Sequence, residues 1–407
     1  MKKVFKNYLS TIILIFSIIV GTIIGLIFKD RAVILKPLGD LFLNLLLVII
    51  VPLIFLTITV SIGKMKTPKK IGKILGTTIL IFIITSIISV FIGLLSSSST
   101  KLINVKNIDN IKNELNINED ISNTDVNYLE KTVNTISVNN FNSLLTNENI
   151  IALIIFSIIF GLSINISKEK GKKLLDVLDS ANNVVQSFIK IIMYYAPIGL
   201  GCYFASLVGT FGKDIATGYT KLFIIYTLTC LFVYFIIYSL YAYIAKGKDG
   251  FKTYWKNILA PTLTSLATCS SAASIPVNIK ASENIGVNSE VAGTVIPLGT
   301  SFHKDGSIIG SVFKIMFLVC LFNANISNTK ILLISLLATL LVTAVPIGGG
   351  TISEMLIITS LGFPVSALPI LTIIAAVIDA PATLLNVTGD TASSMLIDKI
   401  VNKHQKI

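Results

Sequence analysis

Two apolar stretches of the chain carry side chains able to do chemistry. The first runs Ser301-Phe302-His303-Lys304-Asp305-Gly306-Ser307, and Lys314 follows ten residues after Lys304. The second, from Leu371 to Ile400, contains Asp379, Thr383, Asn386, Thr388 and Asp390. At about 100° per residue, a helix here puts Asp379, Ala382, Asn386 and Asp390 on one face. Carboxylates inside a membrane span are expensive and serve substrates, ions or protons. The His303-Lys304-Asp305 triplet reads as a neutralised cluster, a proton relay or an ion site. Lys314 has a plainer reading, in which its stem snorkels towards an interface. Glu354 is a candidate partner for a buried lysine.

The elements that must position these groups are membrane helices. Of 407 residues, 53% are hydrophobic and only 13% charged, against about 25% charged in soluble domains. The net charge of +12 suggests a nucleic-acid binder, but its distribution argues otherwise, because the lysines cluster in short loops between apolar blocks. That distribution marks cytoplasmic loops. Six spans fall at roughly 8–28, 39–63, 71–97, 149–167, 182–210 and 220–245, each near the length a bilayer requires. Putting the lysine-rich loops 64–73, 168–173 and 246–256 inside gives a multi-pass protein of the cell membrane with a cytoplasmic N-terminus. The turn with Lys29, Arg31 and Lys36 then lies outside and fits that rule poorly. Tyr8–Phe28 is too long for a signal-peptide core and reads as a retained first helix. Residues 98–148, rich in Asn, Asp, Glu and Ser, read as a polar extracellular loop without chemistry. Cys202, Cys230, Cys269 and Cys320 show no CxxC spacing and read as packing residues rather than metal ligands or disulfides.

After residue 250 the apolar runs are broken twice by small and polar residues. The breaks are Thr268-Cys269-Ser270-Ser271-Ala272-Ala273-Ser274-Ile275-Pro276 and Pro346-Ile347-Gly348-Gly349-Gly350-Thr351. Irregular backbone at membrane depth survives only when buried in protein or lining a cavity. Two such breaks, each followed by a polar-striped helix, point to a transporter's substrate site rather than to packing kinks.

These residues together closely resemble the dicarboxylate/amino acid:cation symporter family, which includes the glutamate transporters. The likeness covers nearly the whole chain except 98–148. It rests on Thr85-Ser86, Tyr195-Ala196-Pro197-Ile198-Gly199, Ser270-Ser271 with Pro276, Asp305-Gly306, Val345-Pro346 and Asn386-Val387-Thr388-Gly389-Asp390. The resemblance implies an all-α polytopic membrane fold of eight transmembrane helices plus two re-entrant hairpins, about 251–282 and 330–360. It further implies a homotrimer in the lipid bilayer and an elevator-like sliding transport domain. Divided accordingly, 1–70 holds scaffold helices 1 and 2, 71–97 is transport-domain helix 3, and 98–148 is the outer loop. Residues 149–245 hold scaffold helices 4 and 5 with transport-domain helix 6, and 246–407 form the transport core. In the family's pattern Asp379 binds a substrate ammonium and Asn386 its α-carboxylate. Backbone N–H groups around Ser270-Ser271 and Val345–Gly349 assist that carboxylate, with Ser307, Ala382 and Thr383 lining the same pocket. Thr85, Ser86, His303, Lys304, Asp305, Asn386 and Asp390 fall at the cation or coupling positions, with Asp305 and Asp390 as ligands for Na+. The coupling ion is Na+ or H+, with no resident cofactor.

The chain departs from the family pattern in two places. Acidic-substrate members carry an arginine where this chain has Ala382, or at the first hairpin where it has Cys269. Without a guanidinium a second carboxylate would be buried unpaired, at a cost of several kcal/mol. A small neutral amino acid is therefore the expected substrate, and the wording of 270–278 is closest to the serine/threonine branch. The acidic amino acid or dicarboxylate symporter is the alternative. The family's Asn-Met-Asp-Gly-Thr sodium motif is here His303-Lys304-Asp305-Gly306-Ser307. At about 4 Å and an effective dielectric near 20, an ammonium would repel a sodium ion by roughly 4 kcal/mol. Lys304 is thus expected either to be neutral when ions bind or to stand in for one of them, with sodium dependence reduced. A channel or sensory membrane protein on the same scaffold is the rival of a different class. An enzyme is disfavoured, as the sequence has neither an HExxH motif nor a hydrolase serine motif.

Overall fold

A computed structural model describes residues 2–64, 72–99, 102–103, 133, 137–146, 149–211, 213–340 and 351–402. Nearly all of them are helical. Most of the expected outer loop and the tip of the second hairpin, with Val345 and Gly349, lie outside the described residues.

In chain order the helices are α1 (Lys2–Phe28), α2 (Lys36–Gly63), α3 (Gly72–Ser98), α4 (Ile150–Ile166), α5 (Glu169–Phe211) and α6 (Lys213–Phe232). One π-turn, Val233–Ile237, leads into α7 (Tyr238–Asn257). Then come α8 (Leu259–Thr268), α9 (Ser271–Ile285), α10 (Ser289–Phe302), α11 (Asp305–Phe322), α12 (Asn328–Leu340), α13 (Thr351–Leu361) and α14 (Leu368–Asn402). The six expected spans fall within α1 to α7. However, α5 begins thirteen residues before its expected start at 182, at Glu169. It also bends by 51° between Glu169–Ile192 and Tyr194–Thr210. Pro197 explains the bend, since its ring clashes with the carbonyl four residues earlier, at Met193.

Two groups of helices pack together. In one, α1, α2 and α4 surround α5; in the other, α3 and α6 to α14 gather around α11 and α14. Contacts between the groups are thinner and run mainly through α5 with α6, α1 with α8 and α14, and α13 with α4 and α2. Helix α3 shows why the second group assembles. Its Ile79, Leu80, Ile83, Phe91 and Leu95 are exposed, while Thr78, Phe82, Thr85 and Ser89 on the opposite face are buried. Apolar residues outside and hydroxyls inside is the pattern of a helix solvated by lipid. Among the described residues four helices are long and apolar enough to cross a membrane, or five if bent α5 counts as one span. The chain is a multi-pass helical membrane protein.

Both breaks expected after residue 250 separate pairs of packed helices. α8 lies against α9 across Cys269-Ser270, and α12 lies against α13 across 341–350. A third break falls between α10 and α11. α10 and α11 form one 34-residue apolar span, Ser289–Phe322, yet His303 (φ −120°, ψ 111°) and Lys304 (φ −144°, ψ 72°) are not helical.

Candidate substrate and cation site

The break at His303-Lys304 builds the site. It places His303 at the end of α10, Asp305 in the first turn of α11, and the side chains of both against α14 and α3. The His303 imidazole is fully buried between the two carboxylates. Nδ1 lies 2.8 Å from Asp390 Oδ1, and Nε2 lies 3.3 Å from Asp305 Oδ1 and 2.8 Å from Thr85 Oγ1. Phe82 stacks on the ring with centroids 4.3 Å apart and planes 12° from parallel. Ser89 donates to Asp305 Oδ1 at 2.8 Å, and the Tyr238 hydroxyl lies 3.0 Å from both Asp305 Oδ2 and Leu385 O. Asp305 also sits at a helix N-terminus, where the helix dipole favours a negative charge.

Two glycines make the cluster possible. A methyl group on Gly299 would come within 2.2 Å of Asp390 Oδ1. One on Gly306 would come within 2.3 Å of the Ala382 carbonyl, so α11 touches α14 backbone to backbone there.

One turn further along α14, Asn386 exchanges two hydrogen bonds with Ser307. The Ser307 N–H donates to Asn386 Oδ1 at 3.2 Å, and Asn386 Nδ2 donates to Ser307 Oγ at 3.1 Å. Asp379 and Ala382 lie on the same face as Asn386, with Asp379 half-buried and Ala382 and Thr383 buried. The first hairpin contributes its turn. Cys269 is left-handed (φ 46°) and lets the chain reverse into Ser270, whose hydroxyl caps α9 by accepting from Ala273 N at 3.3 Å. Ser270 and Ser271 are both buried. Asn278 ties α9 to α14 by donating to Val387 O at 2.9 Å and accepting from Thr391.

The structure therefore brings Thr85, His303, Asp305 and Asp390 into one cluster and Ser307 with Asn386 into a neighbouring one. Ser86 is buried on α3, but the serine that meets Asp305 is Ser89, one turn on. The Lys304 side chain is also buried, and its ammonium donates to the Ser301 carbonyl at 3.1 Å. Lys314 does not snorkel. Its ammonium lies 2.8 Å from Glu354 Oε1, with both side chains buried. A lysine deep in a bundle is held by a carboxylate when no water is in reach, and the candidate partner named from the sequence is the one it finds.

Sequence reasoning misses a ladder of tyrosines on α6 and α7. The Tyr219 hydroxyl donates to Ile370 O at 3.1 Å and that of Tyr226 to Gly306 O at 2.9 Å. Tyr254 reaches Thr388 O at 3.4 Å, and Tyr238 completes the series at Asp305. The seven-residue spacing of Tyr219 and Tyr226 is a legible helical face. That of Tyr238 is not, because the π-turn at 233–237 shifts its angle.

Residues 10–400 match the model of the sodium:dicarboxylate symporter family. The chain is 28% identical to the proton/sodium-glutamate symport protein of Geobacillus stearothermophilus, over 94% of this chain and 92% of that protein. It is 29% identical to a C4-dicarboxylate transport protein of Pseudomonas syringae pv. syringae (strain B728a), covering 96% and 87%. It is 28% identical to one of Bacillus subtilis (strain 168), covering 98% and 95%. This chain belongs to the sodium:dicarboxylate symporter family.

Proposed function

We propose that the protein is a secondary active, cation-coupled symporter of small carboxylates. Its substrate class is the acidic amino acids or C4-dicarboxylates for which its relatives are named. The observation that carries the reading is the juxtaposition of the Asp305–His303–Asp390 cluster with the Ser307–Asn386 pair. Charge that is buried and satisfied stands one turn from polar groups able to take a carboxylate. On this reading Asn386, Ser307, Thr383 and the amide groups at Ser270-Ser271 and Val345–Gly349 hold the substrate carboxylate, as helix N-termini do for anions. Asp379 takes an ammonium where the substrate has one.

A second reading, a small neutral amino acid, is favoured by one observation. Neither Ala382 nor Cys269 supplies the guanidinium that a second carboxylate would pair with. The relatives' names favour the acidic class.

The packing of α3 and α6 to α14 apart from α1, α2, α4 and α5 supports an elevator in which the former group moves against the latter. A homotrimer held by the scaffold helices and a cytoplasmic N-terminus belong to the same proposal. Counterflow in proteoliposomes tests it, with labelled glutamate, aspartate, succinate and serine offered in turn. Saturable exchange of one acidic solute is the expected result. Serine exchange alone selects the second reading, and large single-channel currents without exchange would overturn the symporter.

A further inference from the structure

The geometry disagrees with the cation in the family's name. A sodium ion is hard and takes oxygen ligands with free lone pairs. Asp305 Oδ1, Asp390 Oδ1 and Thr85 Oγ1 are such oxygens, but in this chain all three face the ring of His303, at 3.3, 2.8 and 2.8 Å. The ring also fills the space between them, with Phe82 on its face and no accessible surface.

The contacts of the ring hold it in that space. Its Nε2 meets Thr85 Oγ1, which also lies 3.0 and 3.2 Å from the carbonyls of Ile81 and Phe82. Its Nδ1 meets Asp390 Oδ1, and Phe82 covers one face of the ring.

We propose that His303 occupies the cation position between Asp305 and Asp390, taking the carboxylate oxygens and the volume that a sodium ion would need there. His303 stands next to Lys304 in the chain, and its imidazole reaches both carboxylates at once. The idea extends the symporter reading, since it implies that coupling does not run through a sodium ion at this position.

The test is the thermal stability of the purified full-length chain titrated with sodium chloride against potassium chloride, for wild type and His303→Asn. Asparagine supplies an oxygen ligand and gives up part of the volume that the ring fills. The readout is the difference between the two proteins. A sodium-specific rise in Tm that is larger in His303→Asn than in wild type is the expected result, because ligand binding to the folded state raises its stability. An equal response in both proteins, or a sodium response present in wild type and lost in the variant, would overturn the proposal. If His303→Asn is recovered only when purified in sodium, that dependence is the expected gain. If His303→Asn and His303→Gln fail to fold in either salt, the ring is a structural strut and the idea falls. The titration needs no substrate, so a failure of the symporter reading, seen as absent solute exchange, leaves it interpretable.

Discussion

Lys314 Nζ and Glu354 Oε1 lie 2.8 Å apart inside the protein, and the second oxygen of Glu354 accepts from the Thr372 hydroxyl at 2.9 Å. This relationship joins three elements: α11, the outgoing arm of the second hairpin (α13), and α14. A buried ion pair is weak evidence of net stabilisation, but removing one partner strands the other charge. Lys314→Met and Glu354→Leu should each destabilise the protein by about 3–5 kcal/mol. The double variant Lys314→Met/Glu354→Leu should recover most of that loss. Thermal unfolding of the three variants checks this, and additive losses in the double variant would refute a direct pairing.

A contrast among glycines tests the close packing at the cluster. In Gly299→Ala the new methyl meets Asp390 Oδ1 at 2.2 Å, and in Gly306→Ala it meets the Ala382 carbonyl at 2.3 Å. The first can be relieved by moving a side chain, the second only by separating α11 from α14. Gly293→Ala, on α10, meets nothing within 4 Å. Overpacking costs about 1–3 kcal/mol, whereas an unobstructed glycine-to-alanine change in a helix gains about 0.5–1 kcal/mol. The expected order of stability is Gly293→Ala above wild type, then Gly299→Ala, then Gly306→Ala. A Tm series in one detergent decides it.

How much of this was legible in the sequence depends on the range of the interaction. Spans and breaks are local, so apolar runs locate α1 to α7, and the Ser- and Gly-rich patches mark the breaks between α8 and α9 and between α12 and α13. The face shared by Asp379, Ala382, Asn386 and Asp390 follows from helix geometry alone. What stays hidden is how distant elements meet. Nothing in the order His303-Lys304-Asp305 says that the chain unwinds there, or that the imidazole reaches both carboxylates. Unwinding lets adjacent residues point to different neighbours, which a helical wheel cannot represent. Ser89 and Tyr238 were missed for the same reason, the latter because a π-turn resets its phase.

Ala382 carries a prediction about selectivity. It is buried on the face of α14 that also presents Asn386. Ala382→Arg should raise the ratio of aspartate to serine affinity by about tenfold or more, the scale of one charge-assisted hydrogen bond of about 1.5–3 kcal/mol. Competition of unlabelled aspartate and serine against a bound label measures the ratio in both proteins. An unchanged ratio in a folded variant would mean that position 382 does not face the substrate.

Asp379 separates the substrate classes left open by the relatives' names. It is a half-buried carboxylate two helical turns from Asn386 on the same face of α14. If it pairs with a substrate ammonium, Asp379→Ala strands that charge and costs about 3–5 kcal/mol, a loss of two to four orders of magnitude in affinity. A C4-dicarboxylate has no ammonium and should lose nothing; relief of repulsion between carboxylates should tighten it. Binding of labelled glutamate and succinate to wild type and variant therefore gives opposite results for the two classes. Loss of glutamate with succinate retained or improved is the expected outcome. Equal loss of both would show that Asp379 shapes the site rather than reading the amine, and unaltered glutamate binding would remove it from the pocket altogether.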